Sequence, residues 1–353
     1  MMILDWNHAL KVNVISESAF TVQGHGVHTA FTETIDSLRQ YSDCDVVVNS
    51  DVAADIIHIH TVGPYSLRHL LWGRGRKVVS AHVTPGSFVG SIVGAKYWYR
   101  LAKWYLKWFY NRADGVLAVS KDVGRELAEM GVHRQIYLVP NTIRTQLFNT
   151  TPKLREMARK SLKIAPEDFV VLGAGQVQPR KRIDIFEAAA KELPNVRFIW
   201  AGGIPFKQLA ASSRSMEKVM NEHAGNIEFT GQVTREEIVK YFHAADLFFF
   251  PSEHETFGLV IVEAAAAGLP LLLRDLEQYR DTFGSGYERG DDDTFGSIIG
   301  KFARDKVYYE HWQKAAAEVA NKYDASAGAK TLVDVYENVL TNAIQNKAKA
   351  RPN

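Results

Sequence analysis

The stretch LFFFPSEHETFGLVIVEAAAAGLPLLLR, Leu247–Arg274, decides the fold. Its first four residues, Leu247–Phe250, are apolar at every position, as a strand covered on both faces must be. Pro251 ends that run. After the loop SEHETFG comes Leu259–Ala267, aliphatic and alanine-rich, which the pattern predicts as a helix. Gly268 and Pro270 punctuate its end, and Leu269–Leu273 is again continuously aliphatic. Strand, helix, strand, with no alternation of polar residues along the strands, is the signature of a parallel sheet layered between helices. The apolar run Gly258–Leu273 is sixteen residues long, contains Glu263 and is broken at Gly268–Pro270, so it is not expected to span a bilayer.

The same alternation extends in both directions. Towards the N-terminus, Phe169–Gly173, Arg197–Ala201 and Ile227–Thr230 read as strands, with Ile183–Glu192 and Glu236–Ala244 as helices. Further back, Val12–Ser16, Asp45–Asn49, Asp55–His60, Lys77–His82, Gly115–Ser120 and Ile136–Pro140 form a second strand set, with helical segments such as His28–Gln40 and Asp122–Met130 between them. Between the two sets, VPNTIRTQLFNTTPKLRE (Val139–Glu156) is rich in Pro, Asn and Thr and reads as a linker. The expected fold class is α/β, two doubly wound parallel-sheet (Rossmann-like) domains facing a cleft, with ligands at the carboxyl ends of the strands. The expected limits are an N-terminal domain over 1–145, a linker over 146–164, a C-terminal domain over 165–325, and a terminal helical segment over 326–353 that is a candidate to return to the first domain.

With 353 residues there is enough chain for two cores. The net charge of +2 does not suit a nucleic-acid binder, and a single cysteine, Cys44, excludes an internal disulfide and fits a reducing compartment. The N-terminus shows no basic segment followed by an apolar one, so no signal peptide is expected and the protein is read as cytoplasmic. Nothing in the sequence speaks to oligomeric state.

Within the opening stretch, Glu263 is the only charged residue between Glu255 and Arg274. A lone carboxylate in a buried segment is costly unless something donates hydrogen bonds to it, and the vicinal hydroxyls of a ribose are suitable donors. Glu255 lies on the loop entering the helix, and the backbone N–H groups around Phe257, Gly258, Leu259 and Val260 form a helix N-terminus suited to phosphate. A carboxylate for a diol, another for a sugar and amides for phosphates would describe a nucleotide-sugar pocket. On spacing alone, an alternative stays open: Glu263 pairs with a structural arginine and Glu255 is a solvated loop residue.

Glu255 and Glu263 together make the E-x7-E element of retaining glycosyltransferases of GT-B fold, and PSEHETFGLVIVEAAAAGLP resembles the signature of family 4 over its whole length. GAGQVQPRKRID (Gly173–Asp184) is similar to the family's element after the first strand of its C-terminal domain. Lys181 falls at the diphosphate-binding lysine, while Gln176 replaces the usual arginine and Arg182 the usual glycine. Either Arg180 or Arg182 is then a candidate for the second positive charge. The resemblance implies that Glu255 orients the donor hexose, Glu263 holds the ribose and Lys181 the diphosphate, with Val233 a further donor contact. It covers about residues 11–340 and is looser in the N-terminal half. There, Gly24 and Gly26 of FTVQGHGVHTAF resemble the family's acceptor-side loop, and His82 stands where a histidine contacts the donor sugar. His58 and His60 are read as domain-filling. Asp43-Cys44-Asp45 mimics an Asp-x-Asp metal motif but is read as structural. No metal site is expected, and the UDP-sugar is a co-substrate, with Lys181 and helix amides neutralising the leaving diphosphate.

One segment stands apart. In GAKYWYRLAKWYLKWFY (Gly94–Tyr110), eight of the fourteen residues Tyr97–Tyr110 are aromatic, and from Ile56 through Ala113 there are nine Lys or Arg and no acid. Lys96, Arg100, Lys103 and Lys107 share one helical face, and Tyr97, Leu101, Trp104, Tyr105 and Trp108 the next. Aromatic and cationic stripes side by side suit an anionic membrane interface. The alternative is that the aromatic face simply packs inward. The expectation is therefore a retaining, metal-independent transferase, peripheral to the membrane, moving glucose from UDP-glucose to diacylglycerol. Two alternatives stand: the same fold acting on a glycan, polyprenyl-linked or protein acceptor, and a non-catalytic partner that binds nucleotide-sugar.

Overall fold

A computed structural model describes residues 9–20, 26–85, 95–203, 220 and 223–349. The chain divides into two units. Among the described residues, one takes those up to 85, Trp98–Ile143 and those from Ala325 to Lys349; the other takes 95–97 and those within Arg144–Asp324.

The first unit is built on six parallel strands, β1 (Lys11–Ile15), β2 (Asp45–Val48), β3 (Ile56–Ile59), β4 (Arg76–Ala81), β5 (Gly115–Ala118) and β6 (Ile136–Leu138), in the order β2-β1-β3-β4-β5-β6. β3 and β5 are buried at every position, which is why β5 reads as an unbroken apolar run and β3 as one interrupted only by His58. The unit is completed from the far end of the chain. The helix Ala325–Lys349 lays Leu332, Val335, Tyr336, Val339 and Leu340 into the same core as Val12, Val14, Phe31, Ile35, Leu38 and Ile56.

The second unit repeats the scheme with β7 (Val170–Ala174), β8 (Arg197–Ala201), β9 (Ile227–Phe229), β10 (Leu247–Phe250), β11 (Leu271–Arg274) and β12 (Glu288–Gly290), all parallel, in the order β12-β11-β10-β7-β8-β9. β7 and β10 are neighbours, yet the chain leaves β7 towards β8 and leaves β10 towards β11, on the opposite side. Such a reversal of winding opens a crevice at the carboxyl ends of the two strands. The core packed against these strands is aromatic, with Phe186 stacked on Phe249 at 5.6 Å and edge-on to Trp200 at 5.1 Å.

Residues 146–164, read as a linker, carry the helix Pro152–Ser161, capped by the Thr151 side chain. Arg155 and Arg159 of this helix both clamp Asp246, whose Oδ2 also accepts from Val170 N at 2.8 Å. Of the Pro, Asn and Thr residues that suggest a linker, Thr151 is the helix's N-cap and Pro152 its first position.

Candidate active site

The two loops leaving β7 and β10 carry the charged groups. After β7 the chain passes Gly175 (φ +128°) and makes a 3-10 turn, Pro179–Lys181. Gly202, at the end of β8, must be glycine, because a Cβ there would lie 2.0 Å from Gly175 O. That contact holds the loop tight against its neighbour, and Lys181 points back under it, buried, its ammonium 4.5 Å from the Phe250 ring. After β10, Ser252–Glu255 return towards the same turn, with Glu253 N donating to Arg180 O at 2.9 Å.

There Glu255 meets its partners. Its Oε1 accepts from Lys181 Nζ, from Arg180 Nη1 at 2.8 Å and from Ser252 Oγ at 2.9 Å. Arg180 is fixed at both ends, donating to His254 O at 2.6 Å and through Nε to Gln178 Oε1 at 2.9 Å. Burial pushes the Lys181 ammonium down to about 8, against the upward pull of Glu255. Burial alone would raise Glu255, but Lys181 and Arg180 outweigh it and hold the carboxyl below its usual range. Glu255 is thus a buried, ionised group between two cations, not the solvated loop residue of the alternative reading.

Glu263 lies on the helix Leu259–Ala266, 4% exposed, and is ion-paired with Arg235 Nη1. Glu263 has an arginine partner, as the open alternative expected, and the Arg235 guanidinium rests 4.9 Å from the Phe148 ring. Arg235 opens the helix Arg235–Ala244, two residues after the half-buried Val233. Gly258 enters the Glu263 helix at φ +90°, and a Cβ on it would meet Ile261 Cδ1 at 2.9 Å. Phe257 contributes only backbone there, since its ring packs edge-on against Tyr323 at 5.1 Å; Leu259 is buried and Val260 half-buried.

The question of the second cation has a geometric answer. Arg182 turns away, pairing with Asp184, Glu253 and Asp292. Arg180 is the arginine beside Glu255. Gln176 Oε1 accepts from Gln178 Nε2 at 3.0 Å and so joins the same chain of contacts. Ser252 and Arg235 also belong to the cluster but carry no signal in the sequence: a serine after a proline and an arginine in TREE are ordinary surface residues until the fold brings them in.

In the first unit, His82 follows β4 and is buried. His82 Nε2 lies 3.0 Å from His60 Nδ1. Desolvation lowers it to about 4, so it is neutral at physiological pH. Gly26 opens the helix Gly26–Tyr41, where an added Cβ would meet nothing within 4 Å among the described residues, and Gly24 lies outside them. Asp45 opens β2, half-exposed, 3.6 Å from Lys11 Nζ.

The aromatic helix spans Ala95–Tyr110. Leu106, Phe109 and Tyr110 are buried, whereas Leu101 is 54% and Trp104 62% exposed, among exposed Arg100, Lys103 and Lys107. None of those three cations has an ion pair among the described residues; the Lys96 side chain lies outside them. Tyr105 and Trp108 correct the expected stripe. Tyr105 donates to Val62 O at 2.5 Å, and Trp108 is half-buried beneath the Arg112 guanidinium at 4.9 Å. Period alone placed them on the outer face; the helix buries the side they start. The acid-free neighbourhood is also less bare than it reads, because Arg68 pairs with Asp51 and Arg76 with Asp114, both outside it. No helix among the described residues is long and apolar enough to cross a membrane.

Two doubly wound units, with paired glutamates and a buried lysine at the winding reversal of the second, define a glycosyltransferase of GT-B architecture. Family comparison agrees over both halves: residues 26–147 match the family described as Glycosyltransferase Family 4, and residues 155–319 match Glycosyl transferases group 1. The chain belongs to this group 1, family 4 class of glycosyltransferases.

Among its relatives, the alpha-galactosylglucosyldiacylglycerol synthase of Streptococcus pneumoniae is 31% identical over 336 residues, 93% of this chain and 89% of that protein. The processive diacylglycerol alpha-glucosyltransferase of Acholeplasma laidlawii is 25% identical over 280 residues, 77% of this chain and 81% of that one. Among solved structures, sucrose-phosphate synthase from Thermosynechococcus elongatus superposes with a TM-score of 0.77 at 17% identity, covering 94% of this chain and 100% of its own. Anabaena Alr3699/HepE, solved with UDP-glucose, gives 0.74 at 17% identity, covering 93% and 100%. At such identities the superpositions speak to the fold alone.

Proposed function

We propose that this enzyme transfers a hexose, glucose in the favoured case, from a UDP-sugar to a membrane lipid such as diacylglycerol, with retention at the anomeric carbon. The observation that carries the reading is the position of Glu255. It is an ionised carboxylate held by Lys181 and Arg180 where two neighbouring strands part, with a helix N-terminus close by in sequence. Lys181, Arg180 and the amides of that N-terminus supply positive charge for a diphosphate as it leaves. Glu255 offers an acceptor to the hydroxyls of the hexose, and Glu263, through carboxylate lone pairs that Arg235 does not occupy, to those of the ribose. His82 keeps the donor-sugar role that the family resemblance gives it. In this reading the acceptor hydroxyl attacks the anomeric carbon on the face the diphosphate leaves. The bond to the phosphate oxygen breaks, and the hydroxyl proton passes to that oxygen. The names of the Streptococcus and Acholeplasma relatives support the lipid acceptor.

A second reading is favoured by the Streptococcus relative's name: galactose added to a lipid that already carries glucose. Incubating the protein with UDP-glucose or UDP-galactose and vesicles containing diacylglycerol or glucosyldiacylglycerol, followed by mass spectrometry, separates the two. A monohexosyl product from UDP-glucose supports the first reading. Product only from UDP-galactose and glucosyldiacylglycerol replaces it with the second, and no lipid product from any combination overturns both.

The exposed pair Leu101 and Trp104, ringed by Arg100, Lys103 and Lys107, supports peripheral attachment to an anionic leaflet. Three cations near such a surface contribute about 3 kcal/mol, a reversible hold.

A further inference from the structure

Five side chains from three distant parts of the sequence form a buried chain in the first unit. Tyr336 Oη, on the last helix, lies 2.7 Å from His58 Nδ1; His58 Nε2 lies 2.7 Å from Ser80 Oγ. Both nitrogens of His58 are therefore engaged, and its ring is locked. Against it, at 4.3 Å between centroids, lies His60, which is also edge-on to Phe31 at 5.7 Å. His60 in turn meets His82. Their ring planes differ by 23°, their centroids are 5.1 Å apart and Nδ1 of His60 is 3.0 Å from Nε2 of His82. Near-coplanar rings touching nitrogen to nitrogen at that distance share one in-plane hydrogen bond, not a face-to-face stack.

One proton sits in that contact, and its place determines what His82 offers elsewhere. If His60 Nδ1 donates, His82 Nε2 is the acceptor and the His82 proton must sit on Nδ1. If His82 Nε2 donates, its Nδ1 is a bare lone pair. The other nitrogen of His60 decides between them: Nε2 is buried with no hydrogen-bond partner among the described residues. A buried N–H without an acceptor is the costlier orphan, so Nε2 is left as the lone pair and the proton stays on Nδ1.

We infer that His60 is a positioning residue, held in place by Tyr336 and His58, which donates to His82 and so fixes His82 as a hydrogen-bond donor through Nδ1. The functional consequence rests on the proposed role of His82 beside the transferred sugar. There, an Nδ1–H would be aimed at a sugar oxygen, and a ring free to flip or to change tautomer would present that donor only part of the time.

The test has two independent arms. With 15N-histidine-labelled full-length protein and His82→Gln as the assignment control, long-range 15N–1H spectra at neutral pH should show His82 protonated at Nδ1, and His60→Leu should convert it to a mixture. A His82 protonated at Nε2 in the unmodified protein overturns the inference. The second arm is transfer from UDP-glucose to diacylglycerol vesicles. His60→Leu should lower kcat about tenfold or more with the donor KM nearly unchanged. His60→Asn, whose amide nitrogen occupies the place of Nδ1, should recover most of that loss. Equal loss in the Leu and Asn variants, or none in either, also overturns it. If His82→Ala transfers normally while the Nδ1 proton is observed, the role of His82 fails and the tautomer assignment stands.

Discussion

Glu255 takes Lys181 and Arg180 on a single carboxylate oxygen. The two cations are not equivalent to it, since Lys181 is buried while Arg180 is partly open to solvent. Removing Lys181 leaves Glu255 still paired with Arg180. Removing Glu255 leaves a buried ammonium facing a guanidinium. Glu255→Ala should therefore cost about 3–5 kcal/mol of stability and Lys181→Ala clearly less. The double variant should be more stable than Glu255→Ala alone. Denaturant unfolding of the three proteins checks the order, and a Lys181→Ala variant as unstable as Glu255→Ala contradicts it. Both single variants should lose transfer.

The alkaline limb of activity follows from the same lysine. In the free enzyme the Lys181 ammonium is lowered to about 8, so the charge that receives a diphosphate is present below that pH and lost above it. kcat/KM should be level towards neutrality and fall about tenfold per pH unit once past pH 8. In Lys181→Arg, whatever activity remains should lose this limb, because guanidinium stays charged. A flat profile to pH 9.5 in the unmodified enzyme would exclude Lys181 as the titrating group.

Arg182 stands at φ +51°, a backbone region that costs an ordinary residue about 1–2 kcal/mol. Against that it gathers Asp184, Glu253 and Asp292, all substantially exposed and each worth well under 1 kcal/mol. Arg182→Gly should shift the thermal midpoint by only a few degrees and leave transfer nearly intact. Arg180→Ala should reduce kcat about tenfold or more. The reverse ranking would return the second phosphate charge to Arg182.

On the aromatic helix, Trp104→Ala should weaken sedimentation with anionic vesicles at low salt, and Lys103→Glu with Lys107→Glu should weaken it further, about fivefold or more in lipid concentration per cation lost. Tyr105→Phe, which only removes the bond to Val62, should not. If Trp104→Ala sediments as well as the unmodified protein, the outer face of this helix is not the lipid contact.

The fold was legible because both sheets are parallel and their central strands are buried: strands such as Leu247–Phe250 and Val170–Ala174 have no solvent face and so read as unbroken apolar runs. The short edge strand Glu288–Gly290 was not, since three residues, two of them charged, carry no period. The helix Pro152–Ser161 hid behind its own capping residues. Glu255 and Lys181 could be placed as chemistry-bearing residues, but their union could not, because 74 positions separate them and only the adjacency of β7 and β10 closes that distance. Arg235 was invisible for the same reason: nothing local distinguishes an arginine that will meet Glu263. On the aromatic helix the amphipathic period was right in kind, and its orientation differed by about the width of one residue, which moved Tyr105 and Trp108 inward.

The helix Ala325–Lys349 has a consequence in time. Its Tyr336 anchors His58, 278 positions earlier, and its aliphatic residues close the core that Val12 and Val14 begin. During synthesis, the amino-terminal sheet cannot seal until the helix Ala325–Lys349 has left the ribosome, whereas the intervening stretch can mature as soon as it emerges. A chain cut short at residue 324 and released would carry a finished middle and an open beginning, so loss of this helix by a frameshift would fall on the oldest part of the polypeptide.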